Sequence, residues 1–159
     1  MSAAASAAAS PASANRPLSV VIVGAGFGGI AAAIELKRHG IDDITILERA
    51  SALGGTWHYN SYPGAACDVP SHLYSFSFAQ RRDWSRLCSP QGEIHDYLVQ
   101  TARAYDVERH IELGKGVASC AWDEREARWR VETDDGERYE ADALVLATGQ
   151  LNQPATPAI

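Results

Sequence analysis

Apolar positions along the chain fall into short β-branched runs, two stretches of helical spacing, and a long aromatic-rich segment with neither pattern. Leu18 to Val23 is a compact Val/Ile run ended by a glycine cluster, the pattern of a strand buried on both faces. Ile30, Ala33, Ile34 and Lys37 then follow helical spacing, and Gly40 stands where a helix C-cap belongs. A second apolar run, Ile44 to Leu47, ends at Glu48. Strand, helix and strand in about 30 residues predict a βαβ unit.

From Ser51 to Arg86 the sequence predicts loops, marked by Gly54-Gly55, Pro63-Gly64 and Pro70. Ser89-Pro90 then reads as a helix start, with a capping hydroxyl ahead of a proline at the first helical position. Ile94, Tyr97, Leu98, Thr101 and Tyr105 give that helix its apolar face. Ile111 and Leu113 alternate with charges as a short strand. Three further strands are expected at Val117 to Trp122, Trp129 to Thr133 and Arg138 to Ala141, with Asp134-Asp135-Gly136 turning the last two. The apolar run from Ala143 to Ala147 closes the pattern. The expected fold is α/β and Rossmann-like: a parallel sheet from the runs at Leu18, Ile44, Ile111 and Ala143, with an antiparallel β-meander inserted before the last strand.

Composition sharpens this without changing it. The 159 residues are 46% hydrophobic and 21% charged, which suits a single globular domain over residues 18–150. Residues 1–17, rich in Ala and Ser, read as a flexible tail, and the Pro-containing residues 151–159 as a linker. A net charge of −6 recommends no nucleic-acid or anionic-membrane partner. The uncharged stretch from Pro17 to Ile34 could pass for a signal or membrane span, but Gly24, Gly26, Gly28 and Gly29 interrupt it where an apolar helix is most regular. Three widely spaced cysteines fit a reducing compartment, so a cytoplasmic location is expected.

Candidate chemistry centres on Gly24-Ala25-Gly26-Phe27-Gly28-Gly29, a G-x-G-x-x-G sequence between an expected strand and an expected helix. In such a loop the first glycine permits the tight turn, the second lets a pyrophosphate approach the backbone, and the third allows close helix–strand packing. Glu48, at the end of the second strand, is placed to accept hydrogen bonds from ribose hydroxyls and to repel a 2′-phosphate, which favours FAD or NAD over NADP. Trp57, Tyr59, Tyr62 and Tyr74 offer flat surfaces to a ring system, although core packing explains such aromatics equally well. Asp68 is expected in partly buried surroundings between Cys67 and Val69. His58, His72 and His95 lack metal-ligand spacing and read as loop or surface residues, and Arg81, Arg82 and Arg86 read as a solvated run.

Beyond the glycine loop, four ordered motifs carry a family resemblance: Gly54-Gly55-Thr56-Trp57, Tyr62 to Asp68, Ser71 to Phe78, and Ala147-Thr148-Gly149-Gln150-Leu151. Together they resemble class B flavoprotein monooxygenases, and within that class the Baeyer–Villiger monooxygenases more than the N- and S-oxygenating flavin-containing enzymes. The resemblance implies an FAD site in which Gly24, Gly26, Gly28 and Gly29 hold the pyrophosphate and Glu48 the adenosine ribose. It further implies that Thr56 and Trp57 line the flavin, that Tyr74 contacts the same region, and that Val117 meets adenine through its backbone. Thr148 and Gly149 close the site. Asp68, at the family's Cys-Asp position, is the implied catalytic residue beside the flavin ring.

The implied activity is oxygenation of a ketone or a soft heteroatom compound, dependent on NADPH and O2 and proceeding through a C4a-peroxyflavin. Ala66 departs from the arginine that many Baeyer–Villiger enzymes carry before Cys-Asp, which weakens the ketone assignment relative to a broader monooxygenase. A second glycine-rich motif for NADPH is expected outside these residues. The glycine loop and Glu48 alone also suit an NAD-dependent dehydrogenase domain, which leaves Thr56-Trp57 and Ala65 to Asp68 unexplained, and these residues by themselves also read as a non-catalytic nucleotide-binding fragment of such a monooxygenase.

Overall fold

Residues 16–151 and 157–158 of the chain are described in a computed structural model. Most of the expected tail and of the expected 151–159 linker lies outside the described residues. Seven strands and three α-helices run in the order β1 (Ser19–Val23), α1 (Phe27–Arg38), β2 (Asp43–Glu48), α2 (Thr56–Tyr59), α3 (Gln91–Ala104), β3 (Ile111–Leu113), β4 (Val117–Asp123), β5 (Arg128–Thr133), β6 (Arg138–Ala141) and β7 (Ala143–Leu146). The four runs expected in the parallel sheet form it, in the order β3-β2-β1-β7. The expected meander is the antiparallel sheet β4-β5-β6, turned at Gly136 with φ +85.

Both faces of the parallel sheet are covered, which explains the unbroken apolar runs that encode it. Alternate residues go to opposite sides: Val20, Ile22, Ile44 and Ile46 pack under α1 and α3, while Val21 and Leu47 meet Val131 and Ala141 of the meander. Each fully buried Ile, Leu or Val on these faces contributes about 2 kcal/mol of transfer free energy. Helix α1 ends as expected at Gly40, whose φ of +79 lets Ile41 N–H reach back to the Leu36 carbonyl at 3.0 Å.

Three details differ from the sequence expectation. Ser89 does not cap α3, which begins after Pro90; Ser89 is buried one step earlier, its N–H donating to the Ser71 hydroxyl at 2.9 Å while that hydroxyl donates to Ser89 Oγ at 2.7 Å. The loop-rich stretch contains the one-turn helix α2, and a 3-10 turn at Glu108–His110 precedes β3; both are too short to leave a periodicity. Arg81 is not part of a solvated run. Its guanidinium lies 5.1 Å from the Trp84 ring centre and pairs with Asp83 at 2.9 Å, while Arg82 and Arg86 are exposed.

The meander is fastened to the parallel sheet at the end remote from the glycine loop. Asp142, between β6 and β7, accepts hydrogen bonds from the Ser19 N–H and the Ser19 hydroxyl, both at 2.8 Å, and pairs with Arg16. Burial pushes the Asp142 carboxyl up, but these donors more than offset it and hold it at about 2. Because that value lies below the ordinary 3.8, the ionised group stabilises the fold above pH about 4 and loses its contribution as pH falls toward 2. Asp142→Asn is therefore expected to cost about 1–2 kcal/mol at pH 7 in urea titrations, with the difference from the parent shrinking by pH 2.5. A difference that is constant across this range contradicts the clamp.

Candidate functional site

Strand β1 has β2 on one side and β7 on the other, all parallel, so the strand order reverses between β1 and β7. The C-terminal ends of such strands are where open α/β sheets bind ligands. A cleft of about 550 Å³ opens there, bounded by Val23 and Gly24, Leu47 and Glu48, and Ala147 to Gln150. Gly54 to Trp57, Tyr59 and Tyr74 form one wall, and Lys115 to Val117 with Asp134 form the far end.

The four glycines of the loop differ in whether the fold requires them. Gly24 has φ +102, and a Cβ there would lie 2.6 Å from the Ala147 carbonyl oxygen. At Gly29 a Cβ would fall 1.9 Å from the Gly24 oxygen, so α1 and β1 approach too closely for any side chain. Gly26 is different: its φ is −85, and the nearest atom to an added Cβ is Gly55 Cα at 3.6 Å. Contacts within the protein therefore do not require glycine at 26. Gly28 is likewise free of internal conflict, its Cβ position lying 3.5 Å from Ala147 Cβ.

Helix α1 starts with no side-chain cap and no acidic residue in its first turn. The first intrahelical bond is made by Ile30 N–H to Gly26 O at 3.1 Å, so the N–H groups of Phe27, Gly28 and Gly29 and the positive end of the helix dipole are presented to an anion. The residues present thus fit a dinucleotide pyrophosphate.

Glu48 is buried at 5% exposure and is already engaged by the chain. Its two carboxylate oxygens accept the N–H groups of Ala25 and Ala50, each at 2.8 Å. This bracing role was not foreseen from sequence. Each oxygen keeps acceptor capacity beyond these bonds, and the residue lines the cleft.

Of the other expected residues, Thr56, Trp57, Tyr74, Val117, Thr148 and Gly149 all line the cleft. Trp57 is largely buried, and its Nε1–H donates to the Tyr74 hydroxyl at 3.1 Å, with Phe27 edge-on to Tyr74 at 5.0 Å. Tyr62 is exposed and belongs to a separate shallow depression with Arg86 and Gly92. Asp68 does not line the cleft: contrary to the expected partly buried surroundings, it is exposed. The turn of the chain accounts for this, since Cys67 points inward and Asp68, the next residue, outward.

Sequence reasoning missed Arg49, Lys115, Gly116 and Asp134 at the cleft's far end. Arg49 could have been found from its place beside Glu48; the others depend on how the meander folds back. It also set His95 aside as a loop or surface residue. In fact His95 is half-buried on α3, its Nε2 lies 3.0 Å from the Leu53 carbonyl, and its ring occupies the space a Gly54 Cβ would need. Among the described residues no group of His, Cys, Asp and Glu is arranged to hold a metal.

This geometry agrees with what the chain is similar to. A family model for NAD(P)-binding Rossmann-like domains matches residues 22–91. A Baeyer–Villiger monooxygenase of Streptomyces coelicolor is 49% identical over 140 residues, which are 88% of this chain and 27% of the relative. One from Pseudomonas aeruginosa is 42% identical over 144 residues, 91% of this chain and 27% of the relative. The chain is a homologue of the Baeyer–Villiger monooxygenases.

Among solved structures, the chain superposes on a closed cyclohexanone monooxygenase with a TM-score of 0.83 at 38% identity, covering 89% of this chain and 27% of that one. A steroid monooxygenase bound to NADP gives 0.80 at 41% identity, covering 87% and 27%. The chain thus spans a little over a quarter of the length of the relatives it matches.

The glycine-by-glycine geometry separates folding from binding. Gly29→Ala is expected to cost about 3 kcal/mol or more, because backbone must move to admit the methyl group. Gly26→Ala is expected to stay within about 1 kcal/mol of the parent. Equal losses in urea titrations would contradict the assignment of Gly26 to ligand contact.

Proposed function

We propose that the chain is the FAD-binding portion of an NADPH- and O2-dependent flavoprotein monooxygenase acting on a ketone or a soft heteroatom compound. The observation that carries this reading is the room left at Gly26, beside the uncapped N-terminus of α1, in a homologue of Baeyer–Villiger enzymes. A solved relative superposing at TM-score 0.82 and 30% identity is a complex with FAD and NADP, and this chain covers 28% of it.

In this reading the N–H groups of Phe27 to Gly29 hold the pyrophosphate against Gly26, and Glu48 accepts the adenosine ribose hydroxyls. Val117 meets adenine at the far end of the cleft, and Thr148 and Gly149 close the edge beside β7. Thr56, Trp57 and Tyr74 form the wall toward the flavin ring. Because Trp57 donates to the Tyr74 oxygen, the Tyr74 proton is free to be donated elsewhere. Bound here and reduced by NADPH, FAD supplies the oxygen-activating chemistry, and the chain supplies position and electrostatics. Asp68 keeps its catalytic assignment through the Cys-Asp resemblance alone. The three cysteines are all unpaired, which suits the reducing cytoplasm proposed for the protein.

The test is flavin retention. The chain mixed with FAD and desalted is expected to keep the yellow absorbance, while Gly26→Val, which meets no protein atom closer than 3.6 Å at its Cβ, folds normally and loses at least tenfold in FAD affinity. Equal retention by the variant, or no retention by the parent, would contradict the proposal.

A further inference from the structure

The far end of the cleft carries four charged side chains, Glu48, Arg49, Lys115 and Asp134. Glu48 is buried and accepts two backbone N–H groups. Lys115 is held between Asp135 at 2.6 Å and Glu137 at 2.7 Å, which push its ammonium pKa up. Arg49 is exposed and, among the described residues, pairs with no carboxylate. It is the cation of the cleft that remains available to a ligand.

Its stem passes close to Gly116. A Cβ there would stand 2.2 Å from Asp134 Oδ2 and 3.5 Å from Arg49 Cγ, so the missing side chain lets the Arg49 stem and the Asp134 carboxylate close in on the backbone immediately before Val117. The result is a slot bordered by a planar cation and flanked by two carboxylates, Glu48 and Asp134. An added phosphate is disfavoured between two carboxylates, whereas a neutral aromatic ring satisfies a guanidinium by stacking on it.

We infer that Arg49 recognises the adenine base of the bound dinucleotide by stacking its guanidinium on the ring. This rests on the reading of the cleft as an FAD site and adds to it a residue that selects the adenosine half of the ligand.

The experiment is calorimetric titration of the 159-residue chain, Arg49→Ala and Arg49→Lys with FAD, ADP-ribose, 2′-phospho-ADP-ribose and FMN. Arg49→Ala is expected to weaken FAD and ADP-ribose by about tenfold, to leave any FMN binding unchanged, and to melt at the parent's temperature. Arg49→Lys, which has charge without a plane, recovers only part of the loss. Unchanged FAD affinity in Arg49→Ala would overturn the inference while leaving the FAD reading intact. Tighter parent binding of 2′-phospho-ADP-ribose than of ADP-ribose, abolished in Arg49→Ala, would also overturn it by assigning Arg49 to a phosphate. If the parent binds none of the adenine dinucleotides, the FAD reading itself fails, and the inference falls with it.

Discussion

The Glu48 carboxylate holds the site together. Sitting buried at the end of β2, it accepts the N–H of Ala25 in the middle of the glycine loop and the N–H of Ala50 at the start of the following turn. Hydrogen bonds to a buried charge are worth about 1.5–3 kcal/mol each, so two of them set the loop's height above the sheet far more firmly than sterics alone. From Ala25 the bracing continues, because its carbonyl accepts the Gly54 N–H at 2.9 Å and Leu53, one residue back, is held by His95 of α3. Loop, turn and helix are thus tied into one strip, with the open backbone at Gly26 at its centre.

The aromatic wall is placed by the same logic, using hydroxyls. Tyr97, on the buried face of α3, accepts the Phe76 N–H at 2.8 Å and donates to the Ala79 carbonyl at 2.9 Å, and Tyr105 donates to Phe78 at 2.9 Å. A segment with little regular structure is thereby pinned across Phe76 to Ala79, which fixes Tyr74 against Trp57 and Phe27. The cost of burying these hydroxyls is offset because each finds a backbone partner. Side chains that looked like core in the sequence serve as struts for the cleft.

The βαβ unit and the parallel sheet were legible because both faces of that sheet are buried, and apolar runs such as Leu18 to Val23 record that directly; the meander was legible from its short strands and the Asp134-Asp135-Gly136 turn. Gly24 and Gly29 were legible because sterics demand them, and with Gly26 they make a spacing that few other arrangements share. What escaped the sequence depends on contacts between distant segments. The inward turn of Glu48 needs the Ala25 and Ala50 amides in place, and the exposure of Asp68 follows from pairing of the Ala65 to Cys67 strip with Ser89 and Gln91. The slot at Gly116 exists only once the β5–β6 turn brings Asp134 back to it. One-turn elements such as α2 leave no periodicity at all.

The claim on which all this depends is that a dinucleotide lies against the glycine loop at the head of α1. Amide NMR of the isotopically labelled chain during FAD titration tests it residue by residue. The account predicts saturable shifts at Gly26, Phe27, Gly28 and Gly29, with none at Arg125 and Glu126 in the remote β4–β5 turn. Binding that leaves the four loop amides unmoved would contradict it.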